Sequence, residues 1–122
     1  VALGNTATGM LGNNEELKKR IKEAGEASWE RVWELPLWDD YDELIKSDIA
    51  DMKNAGPGVA GAITGACFLK KFVEDSPWVH LDIAGTAWAD KNGPYWREGG
   101  TGAGVRLLVE LLSGWTKFPG KK

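Results

Sequence analysis

The 122 residues contain one cysteine and one histidine, and each scarcity excludes something. A single Cys67 cannot form an internal disulfide; set in the apolar helical stretch AITGACFLKKF, it is expected to be a small core residue of a protein from a reducing compartment. A single His80 would have to serve any acyl-transfer triad. Ser28, Ser47, Ser76 and Ser113 lack the strand-to-helix elbow of a G-x-S-x-G nucleophile, and Cys67 lies inside a helix. No apolar run approaches the roughly 20 residues that cross a bilayer, and no basic segment leads into an apolar one at the start, so no membrane partner is expected. The 15 Lys and Arg are scattered through the helices without forming a stripe, and the net charge is −3, which argues against nucleic acid. With 43% hydrophobic and 27% charged residues, the expectation is one cytoplasmic domain spanning residues 1–122.

Seven Trp and 16 Gly stand out against that background. Such a chain packs large flat side chains tightly while leaving backbone open to close approach. The opening VALG has the composition of the end of a buried strand, with no turn or cap before it, so the chain reads as beginning in mid-element. A Gly- and Asn-rich loop follows, in which TGML forms a short strand. Asn13 and Glu16 have capping-box spacing, and Leu17, Ile21, Ala24 and Ser28 recur at helical period, predicting a helix over 14–29. Its other face, Lys18, Lys19, Lys22, Glu23 and Glu26, should be wet. The helix should end near Glu30, before a short strand up to Leu35, which the following proline biases to extended geometry.

WDDYDELIKS reads as a short helix with its acids at the favourable end, SDIADMKN as a strand and AGPG as a loop. Residues 59–73 read as a second helix, small along Ala60, Gly61, Thr64 and Gly65 and therefore buried against a sheet. WVHLDIAG has few charges, the pattern of a central strand covered on both faces. A long loop, GTAWADKNGPYWREGG, leads to a last helix carrying Val105, Leu108, Val109 and Leu112, and to a tail, SGWTKFPGKK, frayed at its end. Strands alternating with helices predict an α/β domain, a mixed sheet covered by helices.

Three patterns could carry chemistry. His80 and Asp82, two apart on a strand, share a face and could hold a metal from one side, yet no further ligand cluster arrives to complete the site; a buried pair satisfied by hydrogen bonds is the plainer reading. Asp39, Asp40, Asp42 and Glu43 lack the alternating ligands and central glycine of a calcium loop. The GGTGAG run opening the last helix could cradle an anion, but no lysine follows it, and a flexible helix entry is the simpler account.

The motifs WELPL, SDIADMKN, AITGACFL, WVHLDIAG and TGAGV, with VALGNTATGML before them, resemble the C-terminal part of the catalytic domain of the leucyl (cytosol) aminopeptidase family. The resemblance implies a cytoplasmic hexamer in which two divalent metals, manganese or zinc, activate the water that attacks the first peptide bond of a peptide substrate. It also implies that the metal ligands and catalytic lysine and arginine lie upstream of Val1; NTATG mimics the family's arginine-bearing motif only superficially, with Ala7 and Thr8 where carboxylates would be needed. The chain would then be truncated on its N-terminal side, with no catalytic or metal-binding residue of its own, and its first partner would be the missing upstream part. By position, Ala84 and Ala87 match walls of the pocket for the substrate's N-terminal side chain, with Gly85 and Thr86 between them. Asn54 would lie near the pocket for the residue after the scissile bond. The alternative is a noncatalytic oligomerising or regulatory module derived from the same fold.

Overall fold

The computed structural model describes residues 2–46 and 58–117. At its centre is β1 (Thr8–Gly12), flanked by β2 (Val32–Glu34) on one edge and β3 (Val79–Asp82) on the other. β1 runs parallel to β2, with Thr8 opposite Val32, and antiparallel to β3, with Leu11 opposite His80. Parallel neighbours require a crossover, which α1 (Glu15–Ser28) supplies. The expected mixed sheet and helices are present.

β1 is buried along nearly its whole length because both of its faces are used. Met10 packs with Ile21 and Ala24 of α1, Val32 of β2 and Leu107 of α3 (Val105–Ser113), and Leu17, Val79, Leu81 and Leu111 surround that core. Leu11, next along the strand, points the other way and is fully buried. Burial of each such side chain stabilises by about 1.5–3 kcal/mol. α2 (Gly61–Val73) packs chiefly on the 3-10 helix Asp39–Ile45 and reaches β1. A further two-stranded antiparallel sheet pairs β4 (Trp88–Ala89) with β5 (Gly99–Gly100).

Several expectations need correction. The central strand is β1; β3, predicted to be central, is half-buried and pairs with β1 alone among the described residues. Residues 2–6 form turns, although VALG suggested a strand end. Asn14, not Asn13, caps α1, its Oδ1 accepting the Leu17 N–H at 2.9 Å. Asn13 is drawn away to the entry of β3, where its amide donates to the Ser76 carbonyl and accepts from the Trp78 N–H. α1 ends at Ser28 because Trp29 turns left-handed, with φ of 58°. A Cβ on Gly25 would come within 2.7 Å of the Glu30 carbonyl oxygen, so this turn closes over a position that tolerates no side chain.

In α2 the buried positions are Thr64, Ala66 and Cys67, while Ala60, Gly61 and Gly65 are exposed, since the 3-10 helix and not a sheet is the main packing surface. The predicted long loop contains the β4–β5 hairpin. α3 turns Leu107 and Leu111 to the core and leaves Val105, Leu108, Val109 and Leu112 exposed. Residues 115–117 are held by Arg20, which donates to the Thr116 and Lys117 carbonyls and lies over the Trp115 ring, while the end of the tail lies outside the described residues. None of the seven tryptophans is fully buried. The SDIADMKN strand and most of the AGPG loop lie outside the described residues. No helix among the described residues is long and apolar enough to cross a membrane.

Lys18, expected to be wet, is only 7% exposed. It is buried because Glu34 of β2 and Glu15 of its own helix both reach its ammonium, the latter at 2.7 Å. Burial by itself lowers the pKa, but the hydrogen bonds and charges of Glu15 and Glu34 outweigh it and hold Lys18 above its ordinary value of 10.5. A lysine raised on folding contributes stability that is full below its unfolded pKa and lost as pH climbs through the folded one. The gap in urea midpoint between the chain and its Lys18→Met variant should therefore be constant at neutral and mildly basic pH and shrink above pH 10.5. A gap that widens there would show the ion pairs to be unfavourable.

Candidate functional site

Beyond Asp82 the chain leaves the sheet in a tight turn. The Asp82 carboxylate accepts the Ala84 N–H at 3.1 Å, and the Ile83 carbonyl accepts the N–H groups of Thr86 (3.0 Å) and Ala87 (2.8 Å). This turn carries Ala84, Gly85, Thr86 and Ala87, four of the five positions singled out in the sequence. Ala84 is exposed and the other three are half-buried. Asn54 lies outside the described residues.

Two neighbours hold the turn. Thr8, at the start of β1, meets Thr86 hydroxyl to hydroxyl at 3.0 Å. Thr101 donates its hydroxyl to the Thr86 carbonyl at 2.6 Å and its N–H to the Ala87 carbonyl at 3.0 Å. The Thr101 hydroxyl also accepts the Ala103 N–H. Sequence reasoning missed both threonines. Thr101 stood inside the noted TGAGV motif and Thr8 at the start of the predicted TGML strand, but neither was given a role at the turn.

Glu30 was also missed. Its side chain is 13% exposed and accepts N–H groups from Gly104 (3.1 Å) and Leu107 (2.8 Å) at the N-terminus of α3. The glycine-rich helix entry is thus an anion cradle, and the anion is the chain's own carboxylate. Arg106 stands near it at 3.9 Å and bonds the Ser28 carbonyl.

Other candidate groups have structural uses. His80 is half-exposed, not buried as expected, and stacks on Trp78 with ring centroids 6.4 Å apart; Asp82 serves the turn. Burial, seconded by the Asp42 charge, pushes the Cys67 thiol above its ordinary pKa, which keeps it protonated and a poor nucleophile. Among the described residues no three His, Cys, Asp or Glu side chains converge as metal ligands, so the described residues do not by themselves fit a two-metal centre. Two surface hollows, of about 370 Å³ beside Lys18, Lys22 and Trp33 and about 260 Å³ between Trp29, Tyr95 and Arg106, are not lined by residues 84–87.

The sequence model of the cytosol aminopeptidase family, catalytic domain, matches residues 1–109. The chain belongs to this family. It is 60% identical over 114 residues to the "Probable cytosol aminopeptidase" of Geotalea uraniireducens and 59% identical over 112 residues to that of Geobacter sulfurreducens. These alignments cover 93% and 92% of this chain but only 23% of each relative, so the chain spans about a quarter of their length. A solved structure of a tomato leucine aminopeptidase mutant superposes with a TM-score of 0.82 at 46% identity, covering 91% of this chain and 21% of that one. The described fold is therefore that of the matching part of the leucine aminopeptidase chain.

Removing the Glu30 carboxylate strands two helix N–H groups in a partly buried place, which costs about 1–3 kcal/mol. Glu30→Ala should lower the urea midpoint accordingly, with Glu30→Gln recovering part of the loss through its remaining carbonyl oxygen. An unchanged midpoint in Glu30→Ala would mean that the cradle contributes nothing.

Proposed function

We propose that this chain is the C-terminal portion, a single domain segment, of a metal-dependent leucyl aminopeptidase that removes N-terminal amino acids from peptides. Its own contribution is the wall of the pocket for the substrate's first side chain. The observation that supports this most directly is the turn at 84–87: small side chains displayed just past a strand end, on a backbone tied to both β1 and Thr101. Ala84 and Ala87 form the wall, Gly85 and Thr86 shape it, and Asn54 stands near the pocket for the following residue.

A pocket built this way orients the peptide by apolar contact and excludes water around the side chain. The two divalent metals, manganese or zinc, supply Lewis-acid and hydroxide chemistry in the whole enzyme, and their ligands belong to an upstream segment. The full-length protein acts in the cytoplasm as a homo-oligomer, a hexamer in the family pattern. Family membership and the match to a quarter of each relative support these statements.

In the full-length enzyme obtained by replacing the matching 23% of the Geobacter sulfurreducens relative with this chain, Ala87→Phe should raise KM for leucine anilide by about tenfold or more, with a much smaller effect on glycine anilide. Equal effects on both substrates would remove Ala87 from the pocket wall. The 122 residues alone, supplied with manganese or zinc, should release no product from leucine anilide. Metal-dependent turnover that survives repurification would overturn the division of labour.

A further inference from the structure

We infer that Thr101 is the positioning residue that sets the direction of the Ala87 side chain, and so the width of the pocket for the substrate's first residue. The inference rests on the reading of residues 84–87 as pocket wall.

The direction of a Cα–Cβ bond follows from the peptide planes on either side of it. For Ala87 these planes carry the Thr86 and Ala87 carbonyls, and Thr101 holds both: its hydroxyl donates to the first at 2.6 Å and its N–H to the second at 3.0 Å. The Ala87 N–H is held in turn by the Ile83 carbonyl at 2.8 Å. No rotation about Ala87 can occur without breaking one of these bonds.

The hydroxyl has a single proton, and the Thr86 carbonyl takes it. Its lone pair accepts the Ala103 N–H at 3.2 Å, so the group is satisfied in both roles. Ala103 directly precedes Gly104, whose N–H is bound to Glu30. Thr101 is therefore fixed from the helix side and passes that constraint to the turn. A structural filler would need only the methyl group; this geometry uses the oxygen.

Valine matches threonine in shape and lacks the oxygen, whereas serine keeps it. In the full-length enzyme described above, Thr101→Val should raise KM for leucine anilide by about fivefold or more, leave kcat nearly unchanged, and leave glycine anilide unaffected, because glycine presents no side chain to the pocket. Thr101→Ser should restore the original KM. Loss of equal size on both substrates, or no change on either, would overturn the inference.

Ala87→Phe, measured alongside, separates this failure from failure of the pocket reading. If Ala87→Phe discriminates between the substrates and Thr101→Val does not, only the role of Thr101 falls; if neither discriminates, the pocket wall itself is misplaced. Should Thr101→Val not fold, amide exchange in the unsubstituted full-length enzyme decides. Slow exchange of the Thr101 and Ala103 N–H groups supports the arrangement, and exchange at open-loop rates overturns it.

Discussion

The carboxylate of Glu30, in the link between α1 and β2, binds the N-terminus of α3 through Gly104, 74 residues further along the chain. Without that bond, α3 would be held to the core mainly by Leu107 and Leu111, since the rest of its apolar side chains face outward. The link is efficient because the N-terminus of a helix has unsatisfied N–H groups and a partial positive charge, and both are answered by one acid. Glu30 can be there only because α1 terminates in a left-handed residue and the Glu30 N–H returns to the Gly25 carbonyl at 2.9 Å. A glycine at position 25 leaves room for that return.

From this joint the order extends to the far side of the sheet. With α3 anchored, Thr101 is carried to the turn after β3, while Thr8 reaches the same turn from β1. The turn therefore receives hydrogen bonds from two elements remote in sequence, which is the usual way in which a loop is made rigid enough to recognise a ligand. Here the small side chains of residues 84–87 sit on a turn whose backbone is held from both sides.

Parts of this arrangement were legible in the sequence. Period and capping residues marked α1, and the proline after Leu35 marked the end of the extended segment that contains β2. Adjacent asparagines made the cap ambiguous by one position, since either could donate and accept, and only the contact of Asn13 with residues 76 and 78 separates them. Lys18 was misread for a related reason: helical period gives the face a residue occupies, but not the carboxylate of another strand that closes over it. The short strands of the β4–β5 hairpin hold two residues each, too few for alternation to register. The aminopeptidase resemblance drew attention to residues 84–87, which composition and period alone did not. The supporting roles of Thr8, Thr101 and Glu30 were not legible from the local patterns that contain them, because each acts across a long sequence separation.

The placement of the seven tryptophans bears on how the molecule would look to light. Trp29, Trp33 and Trp38 stand largely in solvent, as does Trp88, and three indoles lie beside cationic side chains. Indole emission is blue in an apolar interior and red in water, so the folded chain by itself would already emit towards the red. Its optical signal would report less on melting of the Met10 and Leu107 core than on whatever comes to cover the outside. Covering of those indoles by another protein surface would then be visible as a change of colour, without any label being added.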